Sequence, residues 1–323
     1  MKKALLLLLV SAGLAVGPGF GPLSGEAQAA PRKKAVVVKK QKHVKVKAKP
    51  AAKTKHRKHA ELSPRRDESG NLVVQSASAV VVDQTSGAVL FEKNPNTQVP
   101  IASITKLMTA MVALDAKPSL TEELVIGEED VDTLKGTRSR LKVGTQLTRE
   151  EMLRLALMAS ENRAAAALSR HYPGGRTAFV AAMNRKAKEL GLTDTSFEDS
   201  TGLTAANVSS ARDLTKLVAA AHRYPLIRQY STTAEYDVNI AGRTQSFHNT
   251  NSLVKSDSWD IGLSKTGYIN EAGKCLVMQA WVNNKPMIIV LLDSWGKLTR
   301  IGDANRIKRW IESAALTRSH AEG

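Results

Sequence analysis

With 323 residues, 42% hydrophobic and 24% charged, the chain is long and apolar enough to bury one large core or two small ones. Its single cysteine, Cys275, excludes an intrachain disulfide framework. The formal charge of +17 is local: residues 31–60 hold thirteen Lys or Arg and no acid, and residues 61–323 carry only +3, so the body is nearly balanced.

In chain order, residues 1–30 read as a secretory signal peptide. Lys2 and Lys3 precede an apolar run, and small residues at Ala27–Ala30 suit cleavage. Gly13, Gly17 and Pro18 interrupt that run, which argues against a permanent membrane span. The expectation is an exported, periplasmic chain, attached to a membrane at most peripherally. Residues 31–75 form a basic tail whose like charges and low complexity predict an extended, disordered segment. Export removes nucleic acid as a partner, and the tail lacks aromatic residues to stack on bases. An anionic membrane or wall surface is the remaining polyanion, beside the plainer reading of a solvated tether. His56 and His59 sit in this tail, where no rigid shell orients them, so neither a metal nor another cofactor is expected.

The body is expected over residues 76–315, followed by a short tail at 316–323. "SAVVVDQTSGAVLFEKN" reads as a hairpin around a Ser-Gly turn. From Ser103 to Pro225 the pattern is mostly helical: "TREEMLRLALMAS" with acids in its first turn, then "ENRAAAALSRHY". "GGRTAFVAAMNRKAKELG" is closed by Gly191, and "SSARDLTKLVAAAHRY" is capped by Ser209 or Ser210. Strands return in "WDIGLSKTGY" and "KCLVMQAWVNNKPMIIVLLD", with a turn at Asn283-Asn284, before the helix "TRIGDANRIKRWIESAA". Cys275, inside a strand, reads as a buried small hydrophobe. The implied α+β architecture joins the two end segments into one antiparallel sheet, covered by the first and last helices. The helical middle forms a second lobe, with a site in the cleft between them.

Three short motifs carry chemistry. Ser103 and Lys106 share a helix face one turn apart, so a neutral amine can take the hydroxyl proton of a nucleophilic serine. The spacing alone is weak, because Ser-x-x-Lys also starts at Ser139, Ser252 and Ser294. Only the Ser103 copy opens an apolar helix and is followed in order by Ser160-x-Asn162 and by Lys265-Thr266-Gly267. Each residue has a plainer reading, as a cap, a surface lysine or a strand-end turn. Their joint order outweighs it.

On these motifs, and on stretches such as "IASITKLMTAMVALDA", "LALMASENRAAAALSRHYPGG" and "DSTGLTAANVSSARDLTKL", the chain resembles the low-molecular-mass penicillin-binding proteins, the serine D-Ala-D-Ala peptidases, and their endopeptidase branch most of all. The likeness runs from Ser76 to Ile311. It implies a β-lactamase/transpeptidase-like fold, with Ser103 as the acylated nucleophile, Lys106 its base and Ser160 a proton relay to the leaving amine. Asn162, Lys265, Thr266 and Gly267 are implied to bind substrate, Lys265 also helping to hold Lys106 neutral. The backbone N–H groups of Ser103 and Tyr268 are implied to form the oxyanion hole. Implied partners are peptidoglycan cross-linked peptides, with β-lactams as covalent inhibitors. Carboxypeptidase relatives usually carry a further β-domain and an amphipathic helix, for which the 12 residues after Ile311 leave no room. A D-Ala-D-Ala carboxypeptidase and a non-catalytic wall-binding protein remain the competing readings. A β-lactamase is disfavoured because no match is found for the loop glutamate that deacylates such enzymes.

Overall fold

The computed structural model describes residues 72–321. The signal peptide, nearly all of the basic tail and the last two residues lie outside them. Chain order gives β1 Ser78–Asp83, β2 Val89–Lys93, β3 Val99–Pro100, α1 Thr105–Asp115, β4 Glu123–Val125, β5 Gln146–Thr148, α2 Arg149–Met158, α3 Asn162–Arg170 and α4 Gly175–Glu189. Then follow β6 Val208–Ser209, α5 Ala211–Ala221, α6 Pro225–Ser231, β7 Glu235–Ile240, β8 Arg243–His248, β9 Asp260–Ile269, β10 Gly273–Val282, β11 Lys285–Ser294 and α7 Thr299–Ala321.

Local chemistry sets several of these boundaries. Thr148 and Glu151 close a capping box on α2, each side chain taking the other's backbone N–H, at 3.2 and 2.9 Å. Ser210, not Ser209, caps α5 by accepting from Asp213 N at 3.2 Å. Gly191, at φ 66°, follows α4 in the left-handed region that stops a helix. Asn283 and Asn284, at φ 51° and 60°, make the two-residue turn between β10 and β11.

The main sheet is antiparallel, in the order β2-β1-β11-β10-β9, so the N- and C-terminal strands do meet and β9 lies at an edge. Its pleat sends alternate residues to opposite faces. Val80, Val277 and Val290 join the core of the helical lobe, whereas Val81, Leu276 and Ile289 pack with Ala304, Ile307 and Ile311 of α7. Cys275 is fully buried in the first of these cores, as read from the sequence.

One expectation needs correction, and the described structure extends past both ends expected for the body. The inner face of the sheet is covered by α5, not by the first helix. Instead α1 runs through the middle of the helical lobe, and every residue from Thr105 to Ala113 is buried, because the helix is apolar nearly all round. Among the described residues, packing already includes Leu72, ahead of the expected start at Ser76. Leu72 and Val74 are buried against the α7 side of the sheet, and the buried Asp303 takes the backbone N–H groups of Gln75 and Ser76. At the other end α7 continues to Ala321, past the expected boundary at 315. The β7–β8 hairpin was not anticipated: its strands are mostly exposed, and its turn, Ala241-Gly242, lacks the usual Asn or Asp.

Candidate active site

The first motif enters on a strained turn. Ala102–Ile104 form a single 3-10 turn ahead of α1, and Ala102 sits at φ 47°, an uncommon value for a residue with a Cβ. Two glycines press this turn into place. A Cβ on Gly202, itself at φ 81°, would collide with the Ala102 carbonyl, and one on Gly267 would come within 2.8 Å of Ile101 O and 3.2 Å of Ser103 N. Gly267 is thus needed for close backbone approach between β9 and the serine.

Lys106 is wholly buried, one turn into the helix. Its amine lies 2.8 Å from Ser103 Oγ, 2.7 Å from Asn162 Oδ1 and 2.6 Å from Thr201 O. Burial pulls its pKa down to about 7, against the opposing pull of Asp199 and Glu161. Ser160, at φ 60°, occupies the corner between α2 and α3, and its hydroxyl accepts from Lys265 Nζ at 2.9 Å. Lys265 is 1% exposed, on the edge strand β9, and also donates to Thr266 O at 2.9 Å. Burial, then Lys106, then Arg300 push its pKa well below the ordinary lysine value. The expected coupling between the two amines is present, but it falls on Lys265; burial is what depresses Lys106. Thr266 Oγ1 donates to Thr250 Oγ1 at 2.6 Å, and Tyr268 projects 54% exposed beyond it.

The structure therefore gathers the five side chains as two hydrogen-bonded groups, Ser103 and Asn162 on Lys106 and Ser160 on Lys265, coupled through the charges of the two amines, with Thr266, Gly267 and Tyr268 along the β9 wall. The other Ser-x-x-Lys serines are occupied elsewhere. Ser139 donates to Glu161 at 2.6 Å, and Ser294 pairs with Ser76 at 2.8 Å. Ser252 and Lys255 lie in a short 3-10 turn whose lysine faces Glu235.

Sequence reading missed several contributors. Asp199 accepts from the N–H groups of Thr201 at 2.8 Å and Gly202 at 2.6 Å, building the loop that brings Thr201 O to Lys106. The Asp-x-Thr-Gly run is a recognisable side-chain turn, but nothing local says what it faces. Arg300, in the first turn of α7, donates to Gly267 O at 3.0 Å and Cys275 O at 3.1 Å, placing another cation behind the Lys-Thr-Gly strand. Thr137 accepts from Asn162 Nδ2 at 3.1 Å out of an irregular loop that holds none of the three site motifs.

A serine hydroxyl against a buried, weakly basic amine, with further donors around one hollow, is the equipment of a serine acyl-transfer enzyme on an α+β fold. Residues 65–296 match the D-alanyl-D-alanine carboxypeptidase family, peptidase family S11, and the chain belongs to it. A D-alanyl-D-alanine endopeptidase of Pseudomonas aeruginosa is 51% identical over 244 residues, covering 75% of this chain and 79% of that one. One from Escherichia coli is 50% identical over 245 residues, with the same coverage of 75% and 79%. The crystal structure of the Streptomyces K15 DD-transpeptidase superposes with a TM-score of 0.68 at 29% identity, covering 74% of this chain and 98% of that one.

Proposed function

We propose that the chain is an exported serine DD-peptidase that hydrolyses D-Ala–meso-diaminopimelate cross-links of peptidoglycan through an acyl-enzyme on Ser103. The observation that carries this is the contact of 2.8 Å between Ser103 Oγ and Lys106 Nζ, with the amine at a pKa of about 7. A general base is most effective when its pKa lies near the working pH. The names of the relatives support the bond cleaved, since two at half identity or better are D-alanyl-D-alanine endopeptidases.

Neutral Lys106 takes the Ser103 proton as Oγ attacks the D-Ala carbonyl carbon. The negative charge that develops on oxygen is met by the N–H groups of Ser103 and Tyr268. Collapse breaks the C–N bond, and the leaving amine gains a proton from Ser160, whose hydroxyl is bonded to Lys265; the proton that Lys106 took from Ser103 replaces it on Ser160, so Lys106 is neutral again. Water, with Lys106 again as base, then attacks the ester and frees Ser103. The carboxylate beside the leaving amine pairs with the Lys265, Thr266 and Arg300 end of the cleft, where cations cluster. Asn162 positions the peptide through its amide.

The test is digestion of purified cross-linked muropeptide dimers by the full chain. Monomers are the expected product, and Ser103→Ala lowers the rate by at least about 10³-fold. Intact dimers beside released D-alanine from pentapeptides would make it the carboxypeptidase that the family's description suggests, and no product at all a wall-binding protein. A fluorescent penicillin is expected to label the chain and not Ser103→Ala, since a β-lactam presents the same acyl target; rapid turnover of the drug would mean a β-lactamase. The basic tail is assigned to an anionic wall or membrane surface. Deleting residues 31–60 is expected to weaken sedimentation with wall sacculi or anionic vesicles and to leave cleavage of soluble dimers within about twofold.

A further inference from the structure

Around Lys106 the hydrogen bonds have a direction, and the direction originates in a loop outside the three motifs. Thr137 Oγ1 lies 2.6 Å from Asp132 Oδ2 and 3.1 Å from Asn162 Nδ2. An ionised carboxylate only accepts, so the single hydroxyl proton of Thr137 goes to Asp132 and its oxygen is left to accept. The Asn162 amide must then turn its nitrogen to Thr137 and its oxygen to Lys106, 2.7 Å away. An amide's orientation is a property of the network around it, and here the network permits one.

Neutral Lys106 has two N–H bonds and one lone pair. Asn162 Oδ1 and the Thr201 carbonyl take both N–H bonds, which leaves the lone pair for the Ser103 hydroxyl at 2.8 Å. A reversed Asn162 would offer an N–H to the amine and compete with Ser103 for that lone pair. The loop holding Thr137 is itself fixed. Asp132 also accepts the N–H groups of Leu134, Lys135 and Thr137 at 2.8, 2.9 and 2.8 Å, and Lys135 reaches across to Glu271 at 2.5 Å. Burial opposes ionisation of Asp132, but the Thr137 hydroxyl and these N–H groups outweigh it and keep the carboxyl below its usual range.

We infer that Asp132 and Thr137 are positioning residues for acylation: the carboxylate polarises the Thr137 hydroxyl, which locks the Asn162 amide, which aims the Lys106 lone pair at Ser103. This rests on the acylation reading above. It makes the 132–137 loop part of the base without touching the reacting atoms.

The experiment is stopped-flow acylation of the full chain by a fluorescent penicillin across pH. Thr137→Val, which removes the hydroxyl and keeps the shape, is expected to lower the plateau rate roughly tenfold, the effect of losing about one oriented hydrogen bond. It is also expected to move the acid limb to lower pH, because protonated Lys106 loses an acceptor while Asp199, Glu161 and Lys265 around it are unchanged. Thr137→Ser restores rate and limb to within about twofold. Asp132→Asn, which can donate to the hydroxyl and reverse the chain, is expected to act like Thr137→Val, and it decides the matter if that variant does not fold. An unaltered rate overturns the inference. So does a slower rate with an unmoved limb and no rescue by serine, the mark of mere loop loosening. Failure of the unaltered chain to react defeats the acylation reading itself, whereas acylation indifferent to residues 132 and 137 defeats only this inference.

Discussion

Lys106 concentrates the physics of the molecule in one side chain. A lysine with no exposure pays heavily for its charge, and it does so less by finding a counter-ion than by giving up the proton near neutrality. In the proposed mechanism the base acts when neutral, so kcat/KM is expected to rise with pH through a limb near 7 and to level above it. A pH–rate profile on a soluble dimer checks this, and a limb near the ordinary lysine value of 10.5 would contradict it. That Lys106 stands beside the Ser103 hydroxyl was legible from Ser-x-x-Lys, because one helical turn must bring the two side chains together. The cause of its low pKa was not, since burial comes from α1 lying inside the lobe, a matter of packing.

At the scale of elements, the site is a set of backbone approaches. The turn at Ala102–Ser103 is clasped between Gly202 and Gly267, from a loop and a strand far apart in the chain. Gly202→Ala adds a Cβ where the Ala102 carbonyl already stands and forces alanine to φ 81°. The expected cost is about 2–4 kcal/mol in urea unfolding, with acylation slowed as the serine turn shifts. Stability and labelling rate at the level of the unaltered chain would show that the clasp is slack. Gly267 could be picked out in advance as part of Lys-Thr-Gly. Gly202 could not, because its neighbour across the gap is a hundred residues away and leaves no mark in local pattern.

For the body as a whole, two cores share one sheet, and Asp303 of α7 ties the entry of the chain to its end. Its buried carboxylate accepts from Gln75 N at 2.9 Å, Ser76 N at 2.8 Å and Ser76 Oγ at 2.7 Å, and it pairs with Arg306. Asp303→Ala strands these donors and the arginine, with an expected loss of about 3–5 kcal/mol in urea unfolding. A loss under about 1 kcal/mol would mean the strap over residues 72–76 contributes little.

The α+β class, most of the helices and the three terminal strands could be read from periodicity, caps and turn residues, because those signals act within a few positions of one another. The same holds for Ser103, Lys106, Ser160, Asn162 and Lys265 as candidates, since each stands in a short ordered motif. Tertiary structure alone decided which helix covers the sheet, that Leu72 and Val74 pack beneath α7, and that Asp132, Thr137, Asp199 and Arg300 support the site. Those outcomes depend on surfaces and carbonyls brought together by the packing of distant segments. Such contacts are three-dimensional, and no local rule of spacing encodes them.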